Sequence, residues 1–278
     1  MHFIMPELPE VETVRLSLES RLVGRRIDRV SVREHRLRYP VPTRRLREKS
    51  GVRRVESISR RSKYLLIYLE RGSCLLIHLG MSGRLLLVDA REEMAKHDHV
   101  FFDLDDGQQL RFRDPRRFGL VDVADTDRLQ EHALLRHLGV EPLSPECNAL
   151  HLKQLAHGIR QPVKNFIMDA RRVVGVGNIY ANEALFLAGI HPLRAAGRLS
   201  VSSWEKLTAA IKRVLQDAIQ QGGTTLNDFQ NAAGESGYFQ VYLRVYQREG
   251  ESCVNCARAL KRKVLAGRST FYCGQCQR

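Results

Sequence analysis

The sequence predicts an α+β protein, and three observations predict it. Short strand-like runs fill the first half of the chain. Helical periodicity takes over near residue 128, and two CxxC pairs lie in the last 26 residues. The strand-like runs are RIDRVSV, VRRVESISR, YLLIYLE, CLLIHLG, RLLLVD, HVFFDLDD, QQLRFRD and GLVDV, broken by Gly, Asp and Arg clusters. Eight such runs at close spacing predict a β-sandwich or a barrel. A helix precedes them, because Val11, Val14, Leu18 and Leu22 recur at spacings of three and four. Pro6 and Pro9 sit at its start, where a missing N–H costs nothing.

From Arg128 to Gln220 the patterns are helical. HALLRHLG carries Leu134, Leu135 and Leu138, and NIYANEALFLAG carries Ile179, Ala184, Leu185 and Leu187. Ser202-Ser203-Trp204-Glu205 has the spacing of a capping box, which opens a helix through Leu207, Ile211, Val214 and Ala218. Gly222-Gly223 predicts its end, and the small polar residues 230–237 (QNAAGESG) read as a loop.

Cys253-x2-Cys256, 16 residues, then Cys273-x2-Cys276 is zinc-ligand spacing. Two such knuckles present four thiolates to one Zn²⁺. The expected ion is structural, since four cysteines leave no open position for water. Disulfides are the alternative, disfavoured by the expected cytosolic setting. The intervening ALKRKVLAGRSTFY predicts a β-hairpin turning at Ala266-Gly267. Cys74, in an apolar run, reads as core.

The chain has 278 residues, enough for two domains. It carries 45 Lys+Arg against 31 Asp+Glu, a net charge of +14. Arginine pairs spread along the chain suit a surface that tracks a polyanion, nucleic acid first. No apolar run approaches the roughly 18 residues of a membrane span. The first 25 residues hold four glutamates and no apolar stretch, unlike a signal peptide. The expected location is therefore the cytoplasm.

From Met5 onward the sequence resembles the bacterial formamidopyrimidine-DNA glycosylases. The resemblance rests on nine motifs in register: PELPEVET, SKYLLI, HLGMSGRL, KHDHV, DPRRFG, HLGVEPL, VVGVGNIYANEALFLAGIHP, QGGTTLNDF and a cysteine finger ending GRSTFYCGQCQ. It implies an N-terminal β-sandwich flanked by helices, then a helical helix–two-turn–helix domain with a four-Cys zinc finger. The expected division is a catalytic sandwich over 5–125, a DNA-binding domain over 135–225, a lesion-recognition loop and connector over 226–246, and the finger over 247–278.

The resemblance also implies a function. Family members excise oxidised purines (8-oxoguanine and formamidopyrimidines) from double-stranded DNA in base excision repair, then cut the abasic strand by β,δ-elimination. Pro6 matches the family's nucleophile, a proline whose amine is free only at a chain terminus, and Glu7 its catalytic acid. Lys63 matches the lysine of base release and β-elimination, and Arg268 the finger arginine of δ-elimination. Met81, Arg116 and Phe118 match the residues that fill the gap left by the extruded base. His97, Lys164 and Asn178 match strand-backbone contacts, with Arg116 and Arg160 as further DNA-binding candidates. Thr224, Thr225 and Tyr238 fall in the lesion-recognition segment. Arg116 and Phe118 share a face if that stretch is extended. His99 reads as structural. Ala257 replaces the family's glycine after the second zinc cysteine, which predicts a strained knuckle. The expected protein is a monomer acting on nucleoid DNA.

One feature departs from the family: Met1–Ile4 (MHFI) precedes Met5. An internal proline nitrogen is an amide without a nucleophilic lone pair. The expectation is that translation starts at Met5 and that trimming exposes Pro6. Three other readings stay open. An endonuclease VIII-type sister enzyme for oxidised pyrimidines would begin PEGPE and lack QGGTTL. A non-catalytic lesion binder would keep MHFI. A zinc-ribbon RNA or transcription protein would explain the tail but not PELPE or DPRRFG.

Overall fold

The computed structural model describes residues 5–224 and 242–278. Thr225 and Tyr238, most of the expected lesion-recognition segment, and MHFI lie outside the described residues. Two compact units divide the chain: Met1–Arg136 with Gln221–Tyr238, and His137–Gln220 with Phe239–Arg278.

The first unit opens with α1 (Leu8–Leu22), with Pro9 in its first turn. Its Val11, Val14, Leu18 and Leu22 are buried, as their spacing predicts. Eight strands follow: β1 (Arg26–Val32), β2 (Arg53–Arg61), β3 (Tyr64–Leu69), β4 (Ser73–His78), β5 (Arg84–Asp89), β6 (Asp98–Leu104), β7 (Gln108–Arg113) and β8 (Leu120–Asp125). They pair antiparallel in the order β5-β7-β6-β1-β2-β3-β4-β8. The join between the two four-stranded halves is slight, since β1 meets β2 only at Arg26↔Arg54 and Ile27↔Arg53. The halves face each other as a sandwich. Val30, Phe102, Leu110 and Phe112 of one half share a core with Ile58, Ile67, Leu75 and Val123 of the other. Each buried side chain of this size contributes about 1.5–3 kcal/mol. A helix not legible in the sequence, α2 (Thr43–Ser50), packs Leu46 onto this core.

The second unit is helical: α3 (Ala149–Leu155), α4 (Val163–Ile167), α5 (Asn178–Leu187) and α6 (Val201–Gln220). Two local expectations fail. HALLRHLG forms turns rather than a helix, because only Leu135 of its leucines is buried and no continuous apolar face exists. The capping box at Ser202 is displaced. Helix α6 starts at Val201, two residues before the Ser203 that the box predicts, and Ser200 Oγ accepts the Ser203 N–H at 3.1 Å. The hairpin of β9 (Lys261–Leu265) and β10 (Arg268–Tyr272) forms as expected. Ala266 and Gly267 both take positive φ (46° and 73°), the requirement of a tight two-residue turn. Buried Glu183 on α5 accepts N–H bonds from Arg244, Val245 and Tyr246 at 2.8–2.9 Å, and its burial pushes its carboxyl pKa up. Among the described residues no helix is long and apolar enough to cross a membrane.

Candidate active site and nucleic-acid interface

In the first unit, Pro6 and Glu7 form the buried head of α1. The Glu7 N–H donates to Glu10 Oε2 at 2.8 Å. The other oxygen of Glu10 accepts the N–H of Thr224 at 2.8 Å. One buried carboxylate therefore ties the residue beside Pro6 to Thr224 of the QGGTTL stretch. Sequence reasoning missed Glu10, although its place three residues after Glu7 is capping-box spacing.

Lys63 lies in the two-residue turn between β2 and β3, where Arg61 pairs with Tyr64. Ser62, just before it, takes φ 57°, a left-handed conformation unusual for a residue with a Cβ. Arg60 stabilises that turn by donating to the Ser62 carbonyl at 2.8 Å. The same guanidinium donates to Glu12 Oε2 at 2.9 Å. A chain of polar contacts thus runs from the first turns of α1 to the backbone that carries Lys63.

Behind Lys63, His78 on β4 stacks edge-on against Tyr64, with ring centroids 4.9 Å apart. Burial, then the charges of Lys63 and Arg38, push its imidazole down to about 3. It is neutral at pH 7, and its Nδ1 accepts the Gly80 N–H at 2.9 Å.

Met81 and the Arg116–Phe118 pair are brought together. Gly80 (φ 65°) lies against the Phe118 and Gly119 backbone. A Cβ at Gly80 would meet those atoms at 2.4–2.5 Å, so only glycine allows this approach. The stretch 116–118 is not extended. Arg117 takes φ 58° and pairs with Glu34 at 2.7 Å. The reversal stacks the Arg116 guanidinium 4.8 Å over the Phe118 ring. Phe118 is 45% exposed, which a core phenylalanine would not be. His97 is half-buried, and its carbonyl accepts the Asp114 N–H at 3.0 Å. His99 is buried and donates from Nε2 to the Asp114 carbonyl at 2.8 Å, in keeping with a structural histidine.

In the second unit, Lys164 and Asn178 converge on one carbonyl. Lys164 Nζ donates to Ser269 O at 2.9 Å and to Thr270 Oγ1 at 2.7 Å. Asn178 Nδ2 donates to the same Ser269 O at 3.0 Å. Lys164 is only 1% exposed, so its ammonium is turned inward onto β10 rather than into solvent. The buried Oδ1 of Asn178 has no partner among the described residues. Asn178 opens α5, and its N-cap is Gly177. Arg268, the neighbour of Ser269, is exposed, as is Arg160.

The four finger sulfurs, Cys253, Cys256, Cys273 and Cys276, all lie within 4.8 Å of one another. Sγ separations of 3.9 Å (Cys253–Cys276) and 3.5 Å (Cys256–Cys273) bracket the edge of about 3.8 Å that a tetrahedron of 2.3 Å Zn–S bonds requires. None forms a disulfide. The N–H groups of Asn255 and Cys276 point at Cys253 and Cys273 sulfurs, as thiolates need. The donor set fits zinc. Ala257 takes φ 58°, the strained knuckle its identity predicts.

Comparison with known proteins agrees with this arrangement. Family models match along the chain: the formamidopyrimidine-DNA glycosylase N-terminal domain over residues 5–121, its H2TH domain over 138–230, and the zinc finger found in FPG and IleRS over 250–278. The formamidopyrimidine-DNA glycosylase of Alteromonas mediterranea is 51% identical over 276 residues, 99% of this chain and 100% of the relative. A Lactococcus lactis FPG point mutant, crystallised with Fapy-dG containing DNA, superposes with a TM-score of 0.91 at 32% identity, over 98% of this chain and 99% of that one. The Lactococcus lactis Fpg complex with abasic-site DNA gives 0.89 at 33% identity, with the same coverage. With its sandwich, its helical unit and its four-cysteine finger each matched by the same family, this chain belongs to the formamidopyrimidine-DNA glycosylases and is a DNA glycosylase of base excision repair.

Proposed function

We propose that the protein excises oxidised purines, 8-oxoguanine and formamidopyrimidines, and then cuts the abasic strand as a lyase, with Pro6 as the nucleophile of a chain that begins there. The reading is supported above all by the head of α1, where Pro6 and Glu7 lie side by side and buried. It is also supported by a relative crystallised with Fapy-dG and abasic-site DNA. A terminal α-amine titrates near 8 against about 10.4 for lysine, so far more of it is neutral at pH 7. The Pro6 nitrogen attacks C1′, the glycosidic electron pair leaves with the base, and the amine proton goes with it so that the base departs neutral. Glu7 protonates the ring oxygen as the sugar opens. The resulting iminium acidifies C2′, which permits loss of the 3′-phosphate. Lys63 serves base release and this β-elimination, and Arg268 the δ-elimination that follows.

Met81, Arg116 and Phe118 fill the vacated stack. His97, Asn178, Arg116 and Arg160 meet the strand backbone. Lys164 acts through the strand it holds, which carries Arg268. One structural zinc ion is bound per chain. The protein works as a monomer on cytoplasmic, nucleoid DNA, and its affinity falls steeply with salt because phosphate contacts dominate.

The test compares the chain trimmed to begin at Pro6 with the chain retaining residues 1–5. Borohydride is added in the presence of an abasic duplex. A covalent adduct is expected from the trimmed chain alone. An adduct of equal yield from the longer chain, lost in Lys63→Met, would transfer the nucleophile to Lys63. No adduct from either would leave a lesion binder. Thymine glycol excised in preference to 8-oxoguanine would favour the oxidised-pyrimidine reading.

A further inference from the structure

Two loops carry the side chains assigned above to the vacated stack. One follows β4 and bears Met81, and the other joins β7 to β8 and bears Arg116 and Phe118. Each loop alone is a short irregular segment on the surface. Unstacking a duplex costs a few kcal/mol, and a side chain can supply that only if its backbone does not give way.

Asp114 meets both loops. It is fully buried, at 0% exposure. Its Oδ1 accepts the Ser82 hydroxyl at 2.5 Å and the Arg116 N–H at 3.3 Å. Its Oδ2 accepts the Gly119 N–H at 2.7 Å. Ser82 Oγ in turn accepts the Arg116 N–H at 3.2 Å. The Asp114 carbonyl accepts from Arg117 N at 3.2 Å and from His99 Nε2 at 2.8 Å. One side chain thus accepts from donors on both loops. The backbones also touch directly at Gly80, against Phe118 and Gly119. A Cβ at Gly119 would in turn meet the His78 carbonyl at 2.8 Å.

We propose that Asp114 is a positioning residue that locks these two loops, through Ser82 and the Arg116 and Gly119 amides, into one rigid wedge, so that Met81 and the Arg116–Phe118 stack enter DNA as a unit. The inference rests on the reading of those three residues as the ones that enter the stack. Asp114 itself contacts no reacting atom. Its loss slows the opening of the duplex and leaves the chemistry at C1′ intact.

The experiment uses the full chain beginning at Pro6, with Ser82→Ala, Asp114→Asn and Asp114→Ala. Three readouts separate opening from chemistry. They are single-turnover excision of 8-oxoguanine from a duplex, cleavage of a preformed abasic site in a single-stranded oligonucleotide, and fluorescence of 2-aminopurine next to the lesion. Ser82→Ala is expected to slow duplex excision about tenfold, and Asp114→Asn at least as much, the size of a lost hydrogen bond to a charged group. Both reduce the 2-aminopurine signal and change single-strand cleavage less than about twofold. In Asp114→Asn, adding Met81→Ala costs little more, because the coupled unit is already broken.

Duplex excision unchanged in Ser82→Ala and Asp114→Asn, while Met81→Ala lowers it, overturns the coupling and leaves the wedge. Unchanged excision in both Met81→Ala and Phe118→Ala overturns the wedge reading itself. Equal losses on duplex and single strand also overturn the proposal, since they mark a general structural role. Ser82→Ala, the milder change, decides the matter if Asp114→Ala does not fold.

Discussion

Lys63 stands on a sheet that buries its own apolar core, whereas Arg268 stands on a hairpin of two five-residue strands with almost none. In the sandwich, both four-stranded halves and α1 contribute to one continuous cluster. In the finger, β9 buries none of its residues, and only Thr270 and Phe271 of β10 are buried. Polar anchors replace the missing core. Lys164 and Asn178 hold Ser269. Asn182 Oδ1 accepts the Phe271 N–H at 2.9 Å. Gln277 bridges the Ile190 carbonyl and the Cys273 N–H. A sheet with its own apolar core holds a lysine with that core and one polar tie, the Arg60 bond to the Ser62 carbonyl, but so small a module needs a metal and several buried hydrogen bonds to hold an arginine.

Zinc removal should have the largest effect on the finger and little on the sandwich. A chelator, or Cys273→Ser, is expected to lower affinity for an abasic-analogue duplex at least about a hundredfold, because structural zinc supplies the folding free energy of such modules. The sandwich should keep its cooperative thermal transition, since its core contains no metal ligand. Metal content should be one zinc per chain before treatment. Full DNA affinity in the metal-free protein would show that the polar anchors alone hold the hairpin.

The sandwich and the finger were also unequally legible in the sequence. Every strand of the sheet was visible, because Val, Ile, Leu and Phe alternate or run together between turn residues. Helix α2 was not, since Leu46 is its one large apolar side chain amid arginines and lysine. HALLRHLG misled for the opposite reason: its leucines have helical spacing, but only Leu135 is buried, so no apolar face forms. Cysteine spacing alone disclosed the finger, because tetrahedral ligation dictates it. The site was legible only where motifs carried it. Pro6, Lys63 and Met81 each read as ordinary residues in isolation. Glu10 and Asp114 stayed hidden because their partners, backbone amides and for Asp114 also the Ser82 hydroxyl, are brought to them by the fold. Even the direction of Lys164 depends on β10, about 105 residues away.

On the sandwich side, buried His78 is a polar group whose protonation the fold opposes. Buried and facing Lys63 and Arg38, its imidazole is held down to about 3, against an ordinary 6.5. Above pH 6.5 it is neutral whether folded or unfolded and contributes nothing to the pH dependence. As pH falls below 6.5 the unfolded chain binds a proton that the folded chain refuses, so stability is lost until about pH 3. His78→Asn offers Gly80 an acceptor that does not titrate. Denaturant unfolding should show the wild type losing about 1.4 kcal/mol more per pH unit than the variant between roughly pH 6 and pH 4. The carboxylates shared by both proteins cancel in that difference. Parallel curves would mean that His78 is protonated in the folded sheet.

The smallest effect tests how much strain the metal lets the finger carry. Ala257 follows Cys256 with φ 58°, where a Cβ crowds its own backbone at a cost of about 1 kcal/mol. Glycine removes that cost but adds unfolded-state entropy worth about 0.5–1 kcal/mol. Ala257→Gly should therefore stabilise the finger by at most about 0.5 kcal/mol, and the gain should be read where metal and fold are linked, as slower zinc loss to a chelator. The sandwich has its own test of the same kind at Ser62, which holds φ 57° beside Lys63. There the Arg60 bond to the Ser62 carbonyl, not a metal, holds the turn. If Ala257→Gly instead hastens zinc loss, the knuckle carries no strain that glycine can relieve, and the hold of the four thiolates on their own backbone is tighter than the hold of the sheet on its turn.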